Sequence, residues 1–351
     1  MENAMRIAYK SAGLCLLLGA WTVAAAAQCK TGRGTWTAEL SDDQSGKLQF
    51  RLSCSQDIGS MGHALSLSEL KGLDPAAVHG KHTPVKFGLV REAGSLQFEG
   101  VFNEGIGYGE FSFTSNQEFL SAMKQMGYPD APEKVFTLAS IDLTRAYVLE
   151  LRALGFHPDL DKLMEARIFN VNREQVNGLK AAGVEALELR DLVQYRIFNV
   201  TPEYVQQMRA SFPGISVEKM TEMRIHHVSP EFRSEMSRLG YSGLSVDQLI
   251  AFRIHNVTPE YLQEMDKLGF HKLDADQLIQ FRIFNVNAGQ VEDLASEGYK
   301  SLSAQDLVTF RIHHVDSGFI ETVKKAGYPH PTPAELVEFR IMGIRHRTAG
   351  L

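Results

Sequence analysis

The sequence has 351 residues, with 36 Lys and Arg against 42 Asp and Glu, so its formal net charge is −6. This balance argues against binding to nucleic acid through bulk positive charge, and we expect no nucleic-acid partner. Hydrophobic residues make up 44% and aromatic residues 9%, which excludes a disordered, collagen-like or multi-span membrane chain. At this length more than one domain is expected.

The first 27 residues have the pattern of an export signal. Arg6 and Lys10 precede a short apolar run at 14–18, and the segment ends in four alanines at 24–27. A basic start, a short apolar middle and an Ala-x-Ala ending are typical of a cleaved secretory signal, and an uncleaved anchor is the alternative. We therefore predict an exported protein, periplasmic or secreted, with no stable membrane span after cleavage.

Removal of residues 1–27 leaves two cysteines, Cys29 and Cys54. In an oxidising compartment an even pair predicts one disulfide, and two free buried thiols are the alternative. The bond would close a loop of about 25 residues, which is worth roughly 3 kcal/mol in the chain-entropy model.

Residues 28–115 are predicted to form a small antiparallel β domain. Apolar and polar residues alternate at 48–52, 85–89 and 110–113, and Glu92–Ser95 and Asn103–Gly107 have turn compositions. We expect five or six strands. A domain of this size is near the lower limit for an independent core, so it should also pack on the first helices.

The rest of the chain is repetitive. A motif of Arg-Ile, two variable residues and an aliphatic residue recurs at intervals of 29, 28, 29, 29, 29 and 29 residues. The repeat arginines are Arg167, Arg196, Arg224, Arg253, Arg282, Arg311 and Arg340. A fixed period of this length predicts an array of stacked units, because one unit is too small to bury its own apolar face.

Each repeat has the signals of two short helices. The first helix opens at a polar cap followed three residues later by Gln or Glu, as at Ser245, Asp274 and Thr332. The second opens at Thr-Pro-Glu or Ser-Pro-Glu, as at Thr201, Ser229 and Thr258. Glycines that tolerate a left-handed backbone should end the second helix: Gly155, Gly183, Gly240, Gly269, Gly298 and Gly327.

The predicted architecture is therefore α+β and multidomain. A small antiparallel β domain is followed at 116–345 by an α-solenoid of tandem helical hairpins, each about 29 residues long. A half-repeat at 116–126 caps the array, seven hairpins run from 127, and 346–351 is a tail. In the first repeat Ala139 replaces the arginine and Asp142 breaks the motif, as is usual for terminal repeats.

The repeat arginines are predicted to sit within the apolar side of the first helix. On a helical wheel, each arginine is flanked by apolar residues. In most repeats these are a Leu four residues before it, an aromatic residue just before it and an Ile just after it. A charge there needs hydrogen bonds, and we predict a structural ladder in which each guanidinium binds turn carbonyls or an acid of the adjacent repeat. A groove of arginines that binds an anion is the alternative.

A second set of residues, the ring positions, lies two residues after the repeat arginines. The ring positions are Phe169, Phe198, His226, His255, Phe284 and His313. Rings on an otherwise polar face favour contact with a partner, whereas rings folded against the second helix would belong to the core, and we keep both interpretations. As partner contacts, the three histidines would make binding sensitive to pH near 6.

The next position holds Asn or His and is predicted to be a turn between the two helices. Here the pairs His226-His227 and His313-His314 resemble metal ligands, but each His replaces Asn or Phe of neighbouring repeats. Adjacent histidines at a helix end point apart and no carboxylate or Cys completes a set, so we predict no metal and no cofactor.

No catalytic motif is evident in the sequence. It contains no His-Glu-x-x-His, no Gly-x-Ser-x-Gly and no phosphate-binding glycine loop. We therefore predict that the protein is not an enzyme. The alternative is a hydrolase or a small-ligand-binding protein with its site at the junction of the β domain and the array. A third interpretation is a mechanical element without a specific ligand.

The repeat at Asp247–Tyr261, together with the Ala93–Gly100 segment before the array, resembles a known repeat type. It is similar to the repeat tails of β-lactam-sensor-type transmembrane metallopeptidases and of stand-alone exported bacterial proteins. The likeness covers residues 85–345 and carries no protease motif. It implies an extracytoplasmic accessory or sensing role, and with the repeat architecture it predicts a scaffold that binds a protein or peptide partner.

Overall fold

The structure is a computed structural model that describes Cys29 and residues 32–41, 46–54, 60–271 and 273–344. The predicted signal at 1–27 and the tail at 346–351 lie outside the described residues. A small antiparallel β region is followed by helices, so the chain is a mixed α+β protein. It divides into two compact units, and the boundary lies between Ile197 and Phe198.

The β region is one antiparallel sheet with the strand order β3-β2-β1-β7-β6-β5-β4, counted over the described residues. The strands are β1 (Arg33–Leu40), β2 (Lys47–Cys54), β3 (Ser60–Ser66), β4 (Leu70–Lys71), β5 (Thr83–Arg91), β6 (Gly94–Asn103) and β7 (Ile106–Ser115). The prediction of five or six strands is too low, because β4 has only two residues and is too short for an alternating pattern.

Alternation along the strands builds the core of this region. In β1, exposed and buried residues alternate, and Trp36 is 1% exposed. The indole packs against Phe87 and Phe98, with ring centroids 5.4 and 6.0 Å away. Gly109 pairs with Gly100 on β6, and a Cβ at Gly109 would lie 2.8 Å from the indole Nε1. The glycines of β6 and β7 therefore make room for the tryptophan.

Two features connect the sheet to neighbouring segments. Cys29 and Cys54 form the predicted disulfide, with Cα atoms 5.4 Å apart. Phe136, from the helix Val135–Ser140, stacks on Phe111 and meets Phe113 edge-on at centroid distances of 5.7 and 5.3 Å. The small sheet thus extends its core with a helix, as a domain near the lower size limit requires.

Besides α1 (Pro75–Val78), which lies within the β region, the helices are of two alternating types. First-type helices carry the repeat arginine or its counterpart: α3 (Val135–Ser140), α5 (Leu160–Ile168), α7 (Leu189–Ile197), α9 (Val217–Ile225), α11 (Val246–Ile254), α13 (Ala275–Ile283), α15 (Ala304–Ile312) and α17 (Pro333–Met342). Second-type helices are α2 (Gln117–Gln125), α4 (Arg145–Ala153), α6 (Arg173–Ala181), α8 (Pro202–Ser211), α10 (Pro230–Arg238), α12 (Pro259–Lys267), α14 (Ala288–Ser296) and α16 (Ser317–Lys325).

The helix ends follow the sequence signals. The capping boxes predicted at Ser245, Asp274 and Thr332 are present, with both reciprocal hydrogen bonds formed. The predicted stop glycines have φ values between 83° and 102°, the left-handed region that closes a helix C-terminus. No helix among the described residues combines the length and apolar composition needed to span a membrane.

Candidate protein-binding surface

The repeat arginines lie in the last turn of the first-type helices, where a positive charge complements the helix dipole. Four of them donate Nε–H to a turn carbonyl of the preceding repeat. The pairs are Arg167 to Asp142 O at 3.0 Å, Arg224 to Phe198 O at 3.3 Å, Arg282 to His255 O at 3.1 Å and Arg340 to His313 O at 3.1 Å. These bonds satisfy carbonyls that a helix end leaves without an intrahelical partner.

Five guanidiniums also cover an aromatic ring of the preceding second-type helix. The distances from Cζ to the ring centroid are 5.6 Å for Arg167 over Tyr147, 4.8 Å for Arg224 over Tyr204, 3.7 Å for Arg253 over Phe232, 4.6 Å for Arg282 over Tyr261 and 4.7 Å for Arg340 over Phe319. Contacts of this kind favour arginine over lysine, because a planar guanidinium is able to stack on an aromatic ring.

In the two remaining repeats glutamine replaces the aromatic residue. Arg196 donates Nε–H to Gln175 Oε1 at 3.1 Å, and Arg311 donates to Gln290 Oε1 at 2.9 Å. The Gln175 amide in turn donates to Leu192 O at 2.9 Å. Each repeat arginine is therefore held by a ring or by an amide from the helix before it.

Among the described residues, a repeat arginine forms an ion pair with a carboxylate in one repeat. Arg167 Nη2 lies 3.2 Å from Asp142 Oδ2. In the second unit, within the described residues, no carboxylate oxygen lies within 4.0 Å of the repeat arginines at 224, 253, 282, 311 and 340. Burial lowers the pKa of Arg253, although Glu235 acts on it in the opposite direction. All five side chains remain half-buried or exposed.

The ring positions occupy the C-termini of the first-type helices. Five of them are the C-cap residues themselves, and Phe198 directly follows α7. They are half-buried, apart from Phe284, which is 36% exposed. Burial lowers the pKa values of His226 and His255, and for His226 the nearby Glu222 opposes this effect. Their role as partner contacts stays a prediction.

The residue between each repeat arginine and its ring position is the feature that the sequence analysis missed. Six of these post-arginine isoleucines are exposed: Ile168 by 44%, Ile197 by 41%, Ile254 by 47%, Ile283 by 46%, Ile312 by 46% and Ile341 by 60%. The seventh, Ile225, is half-buried. The expectation that these side chains lie within the buried side of the helix is therefore wrong.

The turn explains why the isoleucines are exposed. Each isoleucine before Ile341 ends its helix, and two residues later Asn or His takes a positive φ, for example 54° at Asn256 and 51° at His314. The chain then brings a valine beneath the helix end, such as Val257, which is 1% exposed. The valine fills the core position, so the isoleucine is left outside. The same valine recurs in the sequence four residues after each repeat arginine before Arg340, and this recurrence could have indicated that the valine, and not the isoleucine, is buried.

The other predicted sites give no comparable arrangement. Within the described residues, no group of three or more His, Cys, Asp or Glu side chains could hold a metal ion. An open cleft beside β7 and α2 is lined by Ser115, Gln117, Leu120, Ser121, Lys124, Pro132 and Val135, and Lys124 is the ionisable residue among them. This cleft presents no acid–base pair for hydrolysis.

Comparison with protein-family models, with curated proteins and with solved structures finds no match to this chain.

Proposed function

We propose that this protein is a non-enzymatic binding scaffold that works outside the cytoplasm. Its helical pairs stack as an α-solenoid of repeats about 29 residues long, and the first-type helix ends form the surface that holds a protein or peptide partner. The export-signal pattern and the Cys29–Cys54 disulfide support a periplasmic or secreted location. The resemblance of the repeats to envelope proteins supports an accessory or sensing role.

One observation carries this proposal: an exposed isoleucine beside a half-buried ring, repeated from helix to helix. In the second unit this pair occurs at 254–255 and 312–313, and at 283–284 the ring of Phe284 is itself exposed. Single exposed apolar side chains are ordinary on protein surfaces, but the same one at the same place in successive repeats is not expected by chance. Exposed aliphatic side chains next to rings are suited to burial by another polypeptide.

The packing of the second unit supports a continuous surface. The first-type helices α11, α13, α15 and α17 contact one another in chain order. Helices in contact have axes about 8–10 Å apart, so equivalent isoleucines repeat at about that distance. A partner that spans several repeats would bury several of them at once.

The test is site-specific photo-crosslinking in the cell that produces the protein. A photo-reactive residue replaces Ile254, and a matched control carries it at Gln263, which is exposed on the second-type helix α12. We expect a discrete protein adduct from position 254 and none from position 263. Equal adducts from both positions, or none from position 254 while the reagent reacts elsewhere on the chain, would refute the proposal.

A further inference from the structure

Two rows of opposite charge accompany the post-arginine isoleucines in the second unit. One row consists of the repeat arginines at the ends of the first-type helices. The other consists of Glu203, Glu231 and Glu260, in the first turns of the second-type helices α8, α10 and α12. A short turn, such as residues 255–258, joins each first-type helix to the second-type helix after it, so both rows lie at the same edge of the helix pairs.

The two rows are not neutralised within the chain. The repeat arginines of this unit have no carboxylate within 4.0 Å, and among the described residues no cation lies that close to Glu231 or Glu260, which are both exposed. Three further acids at these helix ends already have partners: Glu222 pairs with Lys219, Glu264 accepts from the Ala288 amide and Asp316 accepts from the Phe319 amide.

A partner for this surface must match both rows at once. A uniformly acidic partner would be repelled by the glutamates and a uniformly basic one by the arginines. The complementary surface therefore carries the same two rows in exchanged order and at the same spacing from helix to helix. On α17 the exposed Glu338 lies within the arginine row, so the two-row pattern belongs to α9, α10, α11 and α12.

We infer that this surface binds a second copy of the chain as a two-fold dimer, with the arginine row of each copy on the glutamate row of the other. This inference rests on the proposed function and names its partner. When one copy is turned by half a revolution about a line between the rows, the rows exchange places. Arg224 then faces Glu231 and Arg253 faces Glu260, and the symmetry forms each pair twice.

The area of the surface suits a dimer. Neighbouring helices are about 8–10 Å apart and a helix pair is about 20 Å wide, so four pairs present roughly 640–800 Å². Standard protein interfaces bury about 800 Å² on each partner. The same half-turn brings Ile254 to Pro259, the half-buried proline that opens α12, so apolar side chains meet between the ion pairs.

Sedimentation equilibrium of the purified protein tests this inference. We expect a particle with twice the mass of one chain that dissociates more readily in 1 M NaCl, because salt screens the ion pairs. The variant E231K/E260K replaces four ion pairs of the dimer by like charges and should weaken association at least about thirtyfold. The matched control E218K/D276K makes the same change in the first turns of α9 and α13, at the opposite helix ends, and should associate like the unaltered protein.

A mixing experiment separates the specific pairing from a general effect of charge. The variant R224E/R253E should be monomeric alone, because glutamates would then face glutamates. An equimolar mixture of R224E/R253E and E231K/E260K should form a heterodimer, since each row then meets its opposite. Circular dichroism at 222 nm shows whether both variants are folded. E231K/E260K changes only exposed residues, so its own result stands even if R224E/R253E does not fold.

Three results would overturn the inference. These are a monomer at all concentrations up to about 100 μM, equal association of E231K/E260K and the unaltered protein, or no heterodimer from two folded variants. A monomeric protein that still crosslinks from position 254 to a different protein would exclude the dimer and leave the proposed function intact. The absence of any adduct from position 254 would count against the proposed function itself.

Discussion

Asp142 occupies the turn position at which the later repeats have Asn or His, and its carboxylate joins the β region to the first helices. Asp142 Oδ2 lies 3.2 Å from Arg167 Nη2, and Oδ1 lies 3.5 Å from Arg91 Nε on β5. Arg91 also pairs with Glu69 at 2.5 Å. Asn has nearly the same shape as Asp and also tolerates the φ of 53° at this position. The replacement Asp142→Asn therefore removes only the charge.

The expected loss of stability can be judged from the burial of the three side chains that form these ion pairs. Arg91, Arg167 and Asp142 side chains are 13%, 26% and 37% exposed. Exposed ion pairs contribute about 0.2–1 kcal/mol and fully buried ones cost about 3–5 kcal/mol when one partner is removed. Arg91 Nε is buried and has no hydrogen-bond partner in the described residues, so the ion pair with Asp142 is its compensation. We therefore expect Asp142→Asn to reduce the free energy of unfolding of the first unit by about 1–2 kcal/mol.

The assay is thermal unfolding followed by tryptophan fluorescence. The sequence contains two tryptophans, and removal of residues 1–27 leaves Trp36 in the core of the sheet as the single reporter. The midpoint should fall by about 2–8 °C in low salt and by less in 1 M NaCl, which screens the partly exposed pairs. Asn170→Asp, at the same turn position one repeat later, is the matched control and should change stability by less than about 0.5 kcal/mol. An unchanged midpoint for Asp142→Asn, or an equal loss for Asn170→Asp, would refute this reasoning.

Three further predictions concern stability. Burial raises the pKa of Tyr204 to about 12, above an unfolded value near 10, so the contribution of this tyrosine to stability is complete below pH 10 and is lost between pH 10 and 12. The variant Tyr204→Phe also loses the hydrogen bond that the hydroxyl donates to Met220 O at 3.0 Å, so it should be less stable at pH 7. Its free energy of unfolding, measured by urea titration, should fall less steeply than that of the unaltered protein between pH 10 and 12, and an equal fall would contradict this. Reduction of the Cys29–Cys54 disulfide should lower the free energy of unfolding of the β region by about 3 kcal/mol, measured by the fluorescence of Trp36. An unchanged unfolding midpoint would be evidence against this prediction. Asn256→Gly should be neutral within about 0.5 kcal/mol and Asn256→Val should lose more than about 1 kcal/mol, because φ there is 54°; equal melting temperatures would disprove the turn argument.

The helices were predictable from the sequence because their signals are local. A cap such as Ser245 and a stop such as Gly269 act within a few residues, so the boundaries of α11 and α12 follow from the chain itself. The turn at Asn256 was equally local. The strands of the sheet were visible as alternation, but the pairing of β1 with β7 depends on residues far apart in sequence and was not predicted.

The contacts that hold the repeat arginines were only partly predictable. Turn carbonyls were expected, whereas the ring of Tyr261 under Arg282 was not, because a helical wheel describes one helix and this contact joins two repeats. The residue of the second-type helix that contacts the arginine is Tyr, Phe or Gln in different repeats, and these residue types suggest no shared role in the sequence. In the structure, Gln175 binds Arg196 through its amide. The exposure of Ile254 was missed because the wheel treats the last residue of a helix as if another turn followed.

The pairing of the first strand with the last has a consequence for the order of folding. Trp36 Nε1 donates to the Glu99 carbonyl, 63 residues away, whereas hydrogen bonds that join repeats, such as that from Tyr299 to Pro331 O, span 32 residues or fewer. Long-range contacts form more slowly because a larger loop must close first. The pairing of β1 in the sheet should therefore be completed only after β7 has been synthesised, and until then one edge of β1 is open to incorrect pairing.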